Sequence, residues 1–179
     1  MKNPDRVSES DDPQPMSDHR APMRKASILD RLVYWTAVGF GTGLAPKAPG
    51  TAGTLVGIPL YLVMTDWLWW QYLAGISIAF FVGIWICGEV SRNTGMKDAP
   101  FIVWDEIVGY LIAMFAAPDG WIWVSVGFVL FRLFDIWKPW PINIIDRGIR
   151  GGLGIMLDDV VAGCYALLFI QGISFAIPQ

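Results

Sequence analysis

FRLFDIWKPW, residues 131–140, closes an apolar run that opens with WIWVSVGFVL at 121–130. The run is aromatic and long enough to cross a bilayer, yet Arg132 and Asp135 sit inside it and Lys138 follows it. One charge at mid-membrane costs about 2.5–3.5 kcal/mol on insertion scales. Either the run is not a membrane helix, or the charges serve a purpose that offsets that cost.

Composition favours the second reading. The chain has 179 residues, enough for one domain. It is 54% hydrophobic and 16% charged, with ten Trp and ten Phe and a mean hydropathy of +0.46. Soluble domains carry about 25% charged residues. A formal net charge of −3 argues against a nucleic-acid surface, which is strongly basic. Cys87 and Cys164 lie in apolar runs and read as packed small side chains rather than a disulfide or metal pair.

Residues 1–27 are polar and rich in Pro, Asp and Ser, with no apolar h-region. They read as a disordered tail and not as a signal peptide. Residues 28–179 then form a single membrane-embedded domain. An amphipathic segment from Ile28 to about Phe40 leads into the small-residue loop GFGTGLAPKAPGTAGT, 39–54. That loop lacks the spacing of a nucleotide-binding P-loop and reads as a close-packing turn.

Apolar runs follow at Thr51–Met64, Trp67–Cys87, Phe101–Ala117, Trp121–Trp137 and about Ile155–Ile177. Thr65-Asp66 and Pro118–Gly120 are tight turns. The longer connections (45–50, 88–100 and 138–154) hold most of the Lys and Arg. Five spans place all the long connections on one side, which the positive-inside rule makes cytoplasmic. The N-terminus falls on that side and the C-terminus outside. Trp67, Trp69, Trp70, Trp121 and Trp123 then mark the outer boundary, and Trp104, Trp137 and Trp140 the inner one. The expected fold is all-α: a polytopic membrane helical bundle of about five spans, preceded by an interfacial or re-entrant helix.

In this topology Asp105, Glu106, Asp135, Asp158 and Asp159 reach one depth near the inner interface, with Arg132 among them. Arg132 and Asp135 are i,i+3 and share a helix face. So many carboxylates repel one another unless a cation joins them. Oxygen ligands without His or Cys favour Mg²⁺, Ca²⁺ or Mn²⁺ over zinc. Arg132, Lys138, Arg147 and Arg150 add groups that suit a phosphorylated lipid head group. Each feature also has a structural reading. Asp158 and Asp159 can cap a helix, Arg132 and Asp135 can form a buried ion pair, and Lys138 can snorkel. Arg147 and Arg150 can act only on topology.

GFGTGLAPKAPGTAGT, IVWDEIVGY, FRLFDIWKPWPINIIDR and GGLGIMLDDVVAG, in that order, resemble the bacterial phosphatidylglycerophosphatase A family from about Trp35 to the C-terminus. The resemblance implies a Mg²⁺-dependent enzyme integral to the bacterial cytoplasmic (inner) membrane, with its active site facing the cytoplasm. It would hydrolyse phosphatidylglycerophosphate to phosphatidylglycerol and inorganic phosphate. Asp105 and Glu106 fall in the WDE segment; Arg132, Asp135, Lys138 and Asp146 fall in the FRLFDIWKPW segment and its continuation; Asp158 and Asp159 form the later DD. On this reading Asp105, Glu106, Asp135 and Asp159 are catalytic. Glu106, Asp135, Asp158 and Asp159 hold the metal, and Arg132, Lys138 and Arg147 bind the substrate.

Other phosphatase chemistries lack their residues. The single histidine, His19, lies in the tail; Cys87 and Arg92 are spaced C-x4-R rather than C-x5-R; no D-x-D-x-T/V loop occurs. Two competing functions remain open at this level: a membrane phosphotransferase acting on the same head groups, and an ion-coupled transporter. The oligomeric state is not legible.

Overall fold

The structure is a computed structural model that describes residues 27–96 and 99–176. The predicted tail therefore lies outside the described residues, apart from Ser27. Among the described residues every regular element is helical: α1 (Ile28–Ala37), a 3-10 segment (Gly39–Leu44), α2 (Pro49–Met64), α3 (Trp69–Thr94), α4 (Trp104–Ala113), α5 (Trp121–Trp137), α6 (Ile142–Gly148) and α7 (Gly152–Ala176).

A capping box starts α1: Ser27 Oγ accepts from the Asp30 N–H, and the Asp30 carboxylate accepts from the Ser27 N–H. The helix buries Val33 and Ala37 and exposes Ile28, Leu29, Leu32 and Trp35, as an amphipathic segment should. It ends at Ala37, earlier than Phe40, because the chain there turns through left-handed Phe40 (φ 56) and Gly41 (φ 103).

α2 carries Gly50, Gly53 and Gly57 toward α4. Added Cβ atoms there would meet Glu106, Val103 and Tyr110. Small residues at such spacing let two helices pack closely, backbone against side chain. α3 continues past Cys87 to Thr94 and stops at Gly95, whose φ of 70 supplies the left-handed C-cap. The connection expected at 88–100 is thus largely helical, and the one at 138–154 contains α6.

The five-span expectation meets the helix lengths unevenly. α3 and α7 are long and apolar enough to cross a membrane. α2, with 16 residues, is apolar but shorter. The run 101–117 yields only the 10-residue α4. That is about 15 Å of helix, roughly half of the ~30 Å hydrocarbon thickness. Left-handed Ala116 (φ 53) and the following Pro118 end its continuation.

The alternation of direction does hold. Met64, Thr65, Trp67 and Asp119 line one cavity, so the two tight turns share an end of the bundle. Gln171, near the end of α7, donates to the Ala116 carbonyl at that same end (2.7 Å). The opposite end gathers the starts of α2, α4 and α7 with the finish of α5.

The core between the helices is filled by Tyr110, Phe131, Ile107, Met114, Met156 and Ile170. Ile78, Phe81, Val129, Ile136, Leu168 and Phe175 point outward, an apolar exterior of the kind a lipid-facing helix presents. Trp69, Trp70, Trp121, Trp137 and Trp140 are exposed. Trp104 departs from the expected interfacial belt: it packs within the bundle, and its Nε1–H donates to the Ala79 carbonyl (3.0 Å). Cys87 is buried as expected, whereas Cys164 is exposed.

Candidate active site

Two glycines bring the acidic residues together. A Cβ on Gly163 of α7 would lie 2.4 Å from the Gly109 carbonyl oxygen of α4; one on Gly109 would lie 2.8 Å from the Asp159 carbonyl oxygen. Only glycine allows that approach. Asp105 stands one turn before Gly109, and Asp159 one turn before Gly163, so each shares its glycine's helix face. α4 and α7 both begin at this end, and their closest approach therefore sets the two aspartates side by side.

The result is a compact acidic cluster. Carboxylate oxygens of Asp105, Glu106 and Asp159 all lie within 4.8 Å of one another. Asp105 and Asp159 are buried. Asp105 and Glu106 occupy the first turn of α4, where the helix dipole favours negative charge.

Basic groups flank the cluster from α5. Arg132 Nη1 lies 2.5 Å from Asp135 Oδ2 and 3.9 Å from Glu106 Oε1. Asp135 also stands close enough to Asp159 for the two carboxylates to repel. Glu106 Oε2 and Arg132 Nε are both buried and have no hydrogen-bond partner. Buried polar groups left in this way are uncommon and call for a ligand or ion.

Lys138, in left-handed conformation just past α5, reaches Asp158 at 2.6 Å and Asp146 at 3.1 Å. Burial opposes its charge. Hydrogen bonds and attraction from Asp158 and Asp146 outweigh that and hold the ammonium above the usual lysine range.

The sequence-predicted residues thus divide into two adjoining sets. Glu106 and Asp159 sit in the acidic cluster, and Asp105, expected only as a catalytic group, sits there with them. Asp135, expected as a metal ligand, pairs with Arg132. Asp158, also expected as a ligand, pairs with Lys138 and so lies beside the cluster. Arg147 is exposed on α6. Sequence reasoning missed Gly109 and Gly163, and it missed Gly50, which lies against Glu106 and Arg132. The available signal was the i,i+4 spacing of Asp105–Gly109 and Asp159–Gly163.

An all-oxygen donor set with an unpartnered buried carboxylate oxygen suits a hard divalent cation. Among the described residues, helical packing, two apolar helices long enough to cross a membrane and such a cluster define an all-helical protein with a candidate metal site. Residues 35–174 match the family described as phosphatidylglycerophosphatase A. The chain is 46% identical over 128 residues to the phosphatidylglycerophosphatase A of Escherichia coli K12, covering 71% of this chain and 74% of that one. It is 39% identical over 156 residues to that of Haemophilus influenzae, covering 86% and 95%. A Bacteroides thetaiotaomicron relative, 38% identical over 156 residues (83% and 95%), is named provisionally as a phosphatidylinositol-3-phosphatase. No solved structure matches the chain. The chain belongs to the phosphatidylglycerophosphatase A family and is a phosphoric monoester hydrolase.

Proposed function

We propose that this protein hydrolyses phosphatidylglycerophosphate to phosphatidylglycerol and inorganic phosphate, using Mg²⁺ held by Asp105, Glu106 and Asp159. The observation that carries the reading is the convergence of those carboxylates within 4.8 Å of one another, beside Arg132. A bound divalent ion supplies Lewis acidity and lowers the pKa of water. Arg132 offers a planar fork for phosphate oxygens, and Asp135 orients that fork from one turn away. Water adds to phosphorus, the P–O bond to the glycerol breaks, and the glycerol oxygen takes up a proton. The negative charge that develops on the phosphoryl oxygens is what Arg132 stabilises. Lys138, held by Asp158 and Asp146, adds positive potential at the same end.

In this reading the acidic end of the bundle faces the cytoplasm of the bacterial inner membrane. The supports are the excess of Lys and Arg in the connections at that end and the alternating helix direction. α2, α4 and α5 complete the membrane-embedded bundle around α3 and α7, and α1 lies in the interface on its apolar face.

Phosphate release from phosphatidylglycerophosphate in mixed micelles tests the proposal. Activity should vanish with EDTA and return with excess Mg²⁺. Release that is indifferent to EDTA would remove the metal from the reading. A protein that releases no phosphate at all would remove the substrate.

A further inference from the structure

α2 meets the acidic cluster with a glycine. A Cβ on Gly50 would lie 2.3 Å from Glu106 Oε1 and 3.0 and 3.2 Å from the two Arg132 Nη atoms. Gly50 is buried within α2, and it is not among the residues with positive φ. Backbone conformation therefore does not demand glycine, and alanine would be the better helix former. Gly53 and Gly57 on the same helix face Val103 and the Tyr110 ring, which is ordinary apolar packing. At Gly50 the neighbours are instead the charged ends of two groups from other helices.

We infer that Gly50 is a positioning residue for the phosphatase site: its missing side chain leaves the space in which the Glu106 carboxylate and the Arg132 guanidinium meet. The inference rests on the function proposed above and deepens it. Moving α2 away would surrender the close packing of Gly53 on Val103, whereas Glu106 Oε1 is the far end of a flexible side chain. Glu106 moves instead. It then leaves its place beside Asp105 and Asp159 and its 3.9 Å separation from Arg132.

A double-mutant cycle tests this. Glu106→Asp shortens the carboxylate arm by one methylene and takes it out of reach of a Cβ at position 50. Gly50→Ala alone should lower turnover on phosphatidylglycerophosphate about 100-fold, the loss expected for a misplacement near 1 Å. Gly50→Ala/Glu106→Asp should be no slower than Glu106→Asp alone. Losses that multiply, as they do for independent sites, would overturn the inference, as would wild-type turnover in Gly50→Ala. If Gly50→Ala does not fold, the double variant should fold and match Glu106→Asp; failure of both to fold would also overturn it. Wild-type protein that releases no phosphate refutes the assigned reaction instead. The Gly50–Glu106 contact is then judged from thermal midpoints in detergent, where the double variant should be no less stable than Glu106→Asp alone, and lower stability overturns the inference.

Discussion

Gly163→Ala is a change of one methyl group, whose nearest neighbours are uncharged atoms of Gly109 and Ile112, that should disable the site. The new Cβ would lie 2.4 Å from the Gly109 carbonyl oxygen, whereas ordinary contact begins at 3.4 Å. The deficit is 3.4 − 2.4 = 1.0 Å. The obstacle is backbone and cannot rotate away, so α7 and α4 must separate by about that distance. Asp159 is one turn from Gly163 and moves with it, away from Asp105 and Glu106. A displacement near 1 Å costs about 100-fold in rate, or about 2.7 kcal/mol at ~1.36 kcal/mol per tenfold. Overpacking should also lower stability by about 1–3 kcal/mol. The assay is phosphate release in mixed micelles, with a thermal midpoint on the same detergent sample. Gly172→Ala on the same helix meets nothing within 4 Å and should be silent in both. Wild-type turnover in Gly163→Ala would refute the claim that this helix contact sets the carboxylate geometry.

Other perturbations separate the roles of the charged residues. Asp159→Asn keeps shape but removes a charge from the cluster; it should abolish turnover while the protein still accumulates in membranes, and retained activity at ordinary Mg²⁺ would take Asp159 out of the metal site. Arg132→Lys keeps the charge and loses the fork, so turnover should fall by about tenfold or more. If Arg132 and Asp135 are only an ion pair, that change is silent and Arg132→Leu with Asp135→Leu stays active, which a turnover measurement decides. Lys138→Met strands the buried Asp158 carboxylate; breaking a buried pair costs about 3–5 kcal/mol, and the part-exposed Lys138 places this case at or below the lower end, readable as a drop in thermal midpoint that Asp158→Asn in the same chain partly restores. For orientation, a membrane-impermeant thiol reagent added outside the cell should label Asp66→Cys and Asp119→Cys but not Arg92→Cys, and labelling of Arg92→Cys would invert the proposed topology.

Sequence by itself determined the all-helical class of the protein, its family and the end of the bundle at which its acidic residues gather. Apolar runs separated by tight turns and basic connections require helices, because those runs are rich in long aliphatic and aromatic side chains and broken by Gly, Pro and Asp at their ends. Acidic residues at the starts of α4 and α7, with Arg132 and Asp135 at the end of α5, follow from the same reading, since alternating helices bring those ends together. The motifs from Trp35 onward carried the family, which the match over residues 35–174 bears out. Local signals did not settle how far each helix runs: α4 stops after 10 residues and the backbone turns left-handed shortly after, at Ala116, a conformation that hydrophobicity does not report.

Only the tertiary structure decided which carboxylates share a site. Asp158 and Asp159 are adjacent in sequence, yet one faces Lys138 and the other faces Asp105 and Glu106. Neighbours on a helix point about 100° apart, and which direction is inward depends on where the next helix lies. Gly109 and Gly163 fix that by allowing α4 and α7 to touch backbone to backbone, and Gly50 completes it by letting α2 reach Glu106 and Arg132. A glycine's contribution here is the space it leaves empty, and that space has no meaning until the partner helix is in place.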